Sequence, residues 1–445
     1  MENADARRIE LWRTAMGSPE LLASAAGVEG AASASGVARV RAAAARVLGG
    51  SGGEAAGGEL ARVALTIAEG RRRLAGKWHD SERAVADSPG AQMASGTVAA
   101  RWKAARFARA MGDDAELVLD LCCGIGGDLR ELATTLGGRV PVVGVEVDSL
   151  RGWMASENSP GAQCRCGEGA GDATGEGVSR ELAGALVHLD PSRREGGGRR
   201  RRGLGELTPG VGFVERVARA ALGAGIKLAP SVDAHELPGG ELEVLSEDGR
   251  LTQAVLWTGR LAPDGHGVTR ATVLRRDGGR EARSMAASLD QREAAAVETT
   301  DAEGASAALV PGAVVWAVDP SVERAGLLGV LASKSGGIVG HPGAGLIVGG
   351  DAREDEGWAR GYELVDRCVW ARDRVAGLVR TIAGDAGPVL VEVKTRGGVI
   401  DADRERAALR PRGARGGGAE LTVFVQRLFG AGSPVEALIT RRMRV

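Results

Sequence analysis

The stretch Leu117 to Glu131, LVLDLCCGIGGDLRE, limits what the rest of this chain can fold into. Leu117, Val118, Leu119 and Leu121 form an apolar run of the length of one strand buried on both faces, with Asp120 near its carboxyl end. Gly124, Gly126 and Gly127 follow, and Leu129, Leu132, Ala133 and Leu136 then recur at helical spacing. The reading is strand, glycine turn, helix. Such a turn lets a ligand approach the main chain and leaves N–H groups free at the head of the helix. A dinucleotide fingerprint needs a third glycine three positions after Gly126, and Leu129 stands there, so a nicotinamide cofactor fits poorly.

Further strands are placed by counting onward. Val140 to Val147, VPVVGVEV, is a second buried strand with Glu146 at its carboxyl end, 20 residues beyond Gly126. An acid at that distance is placed to accept hydrogen bonds from ribose hydroxyls, with Asp148 as its substitute. Ala185 to Leu189 is the fourth strand, and it runs into Asp190-Pro191-Ser192-Arg193-Arg194. Ligands of open α/β sheets bind at the carboxyl ends of strands, which makes Asp190 the candidate for the reacting centre. His188, just before it, is read as simply buried. Six arginines lie between Arg193 and Arg202, including Arg194, Arg199 and Arg200. Guanidiniums clustered beside a strand end suit a polyanionic substrate, and a solvated basic loop is the other reading.

A chain of 445 residues holds two or three domains. Its formal net charge of -1 gives no overall pull toward nucleic acid, so any basic surface is local. Five cysteines without paired C-x-x-C spacing argue against a disulfide framework and a structural zinc site, and no metal is expected. The charged start MENADARRIE and the absence of any apolar run near 18 residues point to a cytoplasmic protein with no membrane partner.

Residues 1–110 read as a helical domain. Its last stretch, QMASGTVAARWKAARFARAM, is expected to pack on the following domain and to turn Arg101, Lys103, Arg106 and Arg109 to solvent. Residues 111–283 form the α/β domain, with Gly225 to Pro230 as a fifth strand and a hairpin through Glu247-Asp248-Gly249 completing a seven-stranded sheet. Residues 284–309, polar and acidic, read as a linker. Residues 310–445 alternate strands with helices, such as Ser321 to Ala332, and suggest an α+β domain of ferredoxin-like or related topology. The basic end ITRRMRV is read as solvated.

These stretches together resemble a bacterial family of class I S-adenosylmethionine-dependent methyltransferases with a C-terminal THUMP-like domain, in the trimethylguanosine-synthase-like group. The matching segments are QMASGTVAARWKAARFA, DLCCGIGGDLRELA, GVEVD, GDA, DPSRR where the family has DPARR, KLAPSVD, VEVKTRGGVIDADRERAALRPRG and LTVFVQR. The resemblance implies a Rossmann-like α/β fold and S-adenosylmethionine as cofactor. It implies RNA, tRNA or rRNA, as partner and a nucleobase as acceptor. It places Asp120, Cys122, Gly124, Gly126 and Asp128 at the methionine end, Glu146 at the ribose and Asp172, in Gly171-Asp172-Ala173, at the adenine. Asp190 then orients the acceptor, Pro191 and Ser192 close the pocket, and Arg193, Arg194, Arg199 and Arg200 meet the RNA. Where nitrogen-directed methyltransferases carry a second proline and an aromatic residue, this chain has Ser192 and Arg193. A methyltransferase of small metabolites or proteins, and a non-catalytic RNA-binding protein that keeps the fold, are the alternatives.

Overall fold

The computed structural model of the chain describes residues 2–28, 34–49, 53–166, 181–193, 207–232, 237, 239–276, 282–351, 357–383, 390–409 and 420–443. The chain divides into two compact units, Met1–Gly240 with Val255–Gly265, and Glu241–Ala254 with His266–Val445.

The first unit opens with helices α1 (Glu2–Met16), α2 (Pro19–Ala26), α3 (Ala34–Val47), α4 (Gly53–Leu74), α5 (Ser88–Met93) and α6 (Thr97–Ala110). Strands and helices then alternate: β1 (Leu117–Leu121), α7 (Leu129–Leu136), β2 (Val142–Glu146), α8 (Ser149–Asn158), β3 (Gln163–Cys166) and β4 (Ala185–Leu189). They are followed by β5 (Ser192–Arg193), β6 (Leu207–Thr208), α9 (Val211–Ala220) and β7 (Gly223–Leu228). Apolar residues of the early helices, among them Trp12, Leu21, Leu60 and Ile67, and Trp78 between α4 and α5, share one core with Leu150, Trp153 and Met154 of α8. The amino-terminal helices therefore bury their stripes against the α/β layer, as amphipathic helices must.

Strands β3, β2, β1, β4 and β7 lie in that order and pair in parallel throughout. Every residue of β2 and β4 is buried, as expected of strands covered on both faces. After β3 the chain returns to the other side of β1, so the strand order reverses between β1 and β4. Crevices at such a switch point, at the carboxyl ends of the strands, are where open α/β sheets bind ligands.

The second unit begins with β8 (Glu241–Glu247) and β9 (Arg250–Gly259), the latter running on into the first unit. They are joined through Asp248 and Gly249, both at positive φ (50° and 78°), the backbone of a type I′ hairpin turn. β10 (Thr269–Leu274) pairs in parallel with β8 and antiparallel with β11 (Arg283–Ala287). The sheet these strands belong to holds nine strands rather than the expected seven, in the order β11-β10-β8-β9-β7-β4-β1-β2-β3: the hairpin joins it as expected, and β10 and β11 add to it. Residues 284–309 are no linker. They hold most of β11 together with α10 (Leu289–Thr299) and α11 (Ala302–Ala308). A capping box between Ser288 and Gln291 starts α10, and Asp301 caps α11.

Beyond these come β12 (Val314–Val318), α12 (Pro320–Arg324), α13 (Leu328–Ser335), β13 (Leu346–Val348), β14 (Ala359–Val369) and α14 (Arg372–Ala383). The last elements are β15 (Leu390–Thr395), α15 (Ala402–Leu409), β16 (Glu420–Arg427) and β17 (Val435–Arg442). The helix expected from Ser321 to Ala332 is two helices, parted at Gly326 with φ 71°. The strands form a six-stranded sheet in the order β13-β12-β14-β17-β16-β15, larger than a ferredoxin-like sheet. Only β15 and β16 run parallel in it. Among the described residues no helix is long and apolar enough to cross a membrane.

Candidate active site

The carboxyl ends of β1, β2, β4 and β7 present Asp120, Glu146, Asp190 and Lys227. After β1 the chain turns through Cys122, Gly124 and Gly126, all at positive φ (59°, 58° and 87°). The left-handed backbone favours glycine, and Cys122 adopts it with a side chain. At Gly126 an added Cβ would stand 2.7 Å from Ser159 Oγ and 3.1 Å from Ala155 Cα, so close packing on α8 requires glycine. At Gly124 a Cβ would meet nothing within 4 Å, and the main chain there borders open space. Glu146 ties this turn to β2: Oε2 accepts the Gly124 N–H at 2.8 Å, and Oε1 accepts that of Asp148 at 3.1 Å. Asp148 itself caps α8 by accepting the Arg151 N–H. Burial, then the negative charge of Glu146, pushes the Cys122 thiol up to about 12.

Behind the turn lies a buried polar network. Asp120 and His188 are register partners on the parallel strands β1 and β4, and Asp120 Oδ1 lies 2.6 Å from His188 Nδ1. Burial raises the Asp120 carboxyl, against the opposing pull of His188. Asp120 Oδ2 is buried with no hydrogen-bond partner among the described residues. His188 Nε2 is 3.3 Å from Lys103 Nζ, and Lys103 Nζ is 2.6 Å from Asp128 Oδ1. Ser95 Oγ donates to Asp128 Oδ2 at 2.7 Å. An ammonium facing Nε2 selects the imidazole tautomer that carries its proton on Nδ1 and donates it to Asp120.

This network corrects two expectations. Lys103 does not face solvent: it is 1 % exposed and lies in the apolar stripe of α6 with Ala99, Ala100, Ala104 and Phe107. Arg106 is also buried, its guanidinium 4.6 Å over the Trp257 ring and its Nε donating to the Leu261 carbonyl at 2.8 Å. Nor is His188 buried without a role, since it links the carboxylate of β1 to the lysine of α6.

Asp190, half-buried, follows β4, and its N–H donates to the Leu121 carbonyl at 3.1 Å. Lys227 Nζ donates to Asp190 Oδ2 at 2.6 Å. Burial works against the Lys227 ammonium, but Asp190, then Asp128, outweigh it and raise its pKa. Pro191 is buried; Ser192 is exposed and its Oγ donates to the Thr208 carbonyl at 3.2 Å, across the β5–β6 ribbon. The backbone of Arg193 pairs with Leu207 in that ribbon. Asp172, Arg194, Arg199 and Arg200 lie outside the described residues.

The structure thus brings Asp120, Cys122, Gly124, Gly126 and Glu146 together at one turn and sets Asp190 on the next strand. Asp128 faces inward, onto Lys103 and Ser95. Reading of the sequence did not single out Ser95, Lys103 or Lys227 for this site. One signal was present: Lys227 interrupts the otherwise apolar GAGIKL, and a lysine in a buried strand persists only with a partner.

A buried, unpartnered carboxylate oxygen on Asp120, beside main chain left open at Gly124, fits a cationic ligand that approaches the backbone closely. No family model matches the chain. Two curated proteins of Mycobacterium tuberculosis, from strains CDC 1551 / Oshkosh and ATCC 25618 / H37Rv, are each 31% identical over 352 residues, covering 77% of this chain and 84% of theirs. Both are described as uncharacterized S-adenosylmethionine-dependent methyltransferases. A crystal structure of a proposed methyltransferase from Porphyromonas gingivalis W83 matches with a TM-score of 0.64 at 16% identity, over 87% of this chain and 92% of that one. That likeness is one of fold.

Proposed function

The chain belongs to the S-adenosylmethionine-dependent methyltransferase family of these mycobacterial proteins, and from that premise we infer that it methylates a neutral nitrogen on an RNA nucleobase. The observation that carries the choice of acceptor is the Asp190–Lys227 pair at the carboxyl end of β4. One oxygen of Asp190 is committed to the lysine, and the pair is electrically balanced. The remaining oxygen suits accepting an N–H from an uncharged amino or ring nitrogen, whereas an ammonium acceptor would face Lys227. Asp190 is also held by its own N–H, by the fixed φ of Pro191 and by the Ser192 contact to Thr208. A carboxylate held this firmly contributes through alignment.

In this reading the turn from Asp120 to Gly126, Cys122 included, holds the methionine end of the cofactor, with Asp120 Oδ2 facing its positive charge. Asp128 keeps the turn in place through Lys103, and Glu146 receives the ribose. The bound cofactor supplies an electrophilic methyl group on a sulfonium. RNA is favoured because six arginines follow Asp190 directly in the chain. The same reading takes residues 310–445 as THUMP-like.

The test is transfer of labelled methyl from S-adenosylmethionine onto total RNA of a host lacking this protein, followed by digestion to nucleosides. The natural protein is expected to label one nucleoside, and Asp190→Ala to transfer about a hundredfold more slowly with unchanged cofactor affinity. Label found only in protein or small metabolites would overturn the RNA reading.

A further inference from the structure

The second unit carries a cleft of about 1470 Å3 at its six-stranded sheet. That exceeds the roughly 300–1,000 Å3 of pockets built for small molecules. Its walls hold seven lysines and arginines against four acids, in a chain whose net charge is -1, so positive charge is concentrated here.

The cations differ in how they are occupied. Lys394 donates to the Tyr362 hydroxyl at 2.9 Å and sits over the Tyr362 and Phe424 rings, and Arg396 is paired with Glu323. The side chains of Arg250, Arg275, Arg360, Arg441 and Arg442 make no hydrogen bond or ion pair among the described residues. They come from separate places: the start of β9, the residue after β10, the second residue of β14 and the end of β17. One of the acids is spent internally, since Asp319 Oδ1 accepts from Ser246 Oγ, Ser321 Oγ and the Ser321 N–H at 2.7, 2.7 and 2.9 Å. Two further polar groups of the lining have no partner among the described residues. Trp316 is 4 % exposed with an indole N–H that meets no acceptor, and the Thr395 hydroxyl is likewise buried and unpaired.

We propose that this cleft binds single-stranded RNA through its phosphates. Arginines spread over four segments match charges repeated along a chain better than one phosphate, which two guanidiniums would satisfy. Buried donors without acceptors call for ligand oxygens, which phosphate and ribose supply. A space of this size takes a few nucleotides of one strand, and positively charged grooves that track a backbone are how single strands are held without reading sequence. The inference rests on the RNA reading above for its ligand and deepens it by giving the strand a second place to bind.

The experiment uses the full chain and two labelled oligoribonucleotides, oligouridine and a mixed sequence, with anisotropy followed over a salt series. The variant is Arg360→Ala/Arg441→Ala/Arg442→Ala, with calorimetric binding of S-adenosylmethionine as the check on folding. The variant is expected to bind both RNAs about tenfold or more weakly, and its slope of log affinity against log salt to fall by about 2, since each lost phosphate contact on a single strand removes about 0.7. Replacing the same three residues by lysine restores most of the slope. RNA binding that the alanine variant leaves unchanged overturns the cleft while the RNA reading stands. Tighter binding of a duplex than of a single strand also overturns the proposal. Absence of RNA binding by the natural protein removes the RNA reading, and this inference with it.

Discussion

Lys103→Met removes the cation that faces Asp128 while keeping the aliphatic stem that fills the α6 stripe. At 2.6 Å, and with an effective dielectric of about 20, the attraction between the two charges is about 6 kcal/mol. Taking each ion out of water costs several kcal/mol, so the intact pair is close to balance and stabilises little by itself. The variant is not balanced. Asp128 stays buried at 6 % exposure with Ser95 Oγ and the edge of His188, and a buried charge stripped of its partner costs about 3–5 kcal/mol. For a unit of this size each kcal/mol is about 2–4 °C, so melting should fall by roughly 10 °C. Acid dependence separates this from a simple packing loss. Burial alone would raise the Asp128 carboxyl, but Lys103, then His188 and Lys227, hold it below its ordinary value of 3.8. A depressed carboxyl contributes stability that is complete above 3.8 and lost as pH falls through the folded value. In the variant the largest opposing charge is gone, so burial is expected to raise the carboxyl, and the penalty is relieved on acidification. Burial also pulls the Lys103 ammonium below the ordinary lysine value. Urea unfolding followed by tryptophan fluorescence should therefore show the gap between natural protein and variant shrinking from neutral pH to about pH 4. A gap independent of pH, or a loss below about 1 kcal/mol, would refute the reasoning.

Lys227→Met should lower kcat strongly while leaving cofactor affinity intact, with Lys227→Arg recovering part of it; equal losses from both substitutions would mean that Lys227 serves packing alone. Gly144→Ala places a Cβ 2.6 Å from Leu129 Cδ2 and 3.1 Å from Cys123 Sγ, so its urea midpoint should drop by the equivalent of about 1–3 kcal/mol. An unchanged midpoint would show that Leu129 moves aside freely. Cys122, with its thiol at about 12, is about one part in ten thousand thiolate at a pH near 8. Iodoacetamide should reach it far more slowly than Cys164, whose thiol is lowered by the hydrogen bond from Cys123. Peptide mass spectrometry that found Cys122 alkylated first would contradict this.

Much of the first unit was legible because its signals are local. The apolar run of β1, the glycines after it and the acid at the end of β2 lie within about thirty residues, and their spacing alone places a ligand turn. Charge pairing was not legible, since it links residues far apart in the chain. His188 meets Asp120 across 68 residues, and Lys227 meets Asp190 across 37. The linker reading of 284–309 failed for a related reason. Helix α10 buries few apolar side chains, Ala295 chief among them, and owes its start to the Ser288–Gln291 cap, so composition gave it no stripe to read. Lys103 is the instructive case. Counting basic residues around α6 assigned them all to solvent, yet Ala100, Lys103, Ala104 and Phe107 fall at the i, i+3, i+4, i+7 positions of one buried face. A lysine inside an apolar stripe is a statement about a partner elsewhere, because an unpaired ammonium would not remain there. Lys103 and Lys227 each make that statement and are answered by the carboxylates of Asp128 and Asp190, while the buried imidazole of His188 is answered by Asp120, all near the carboxyl ends of the same parallel strands. Three such pairs at the edge where the strand order reverses are costly for folding alone, and this is the physical reason for placing the chemistry there.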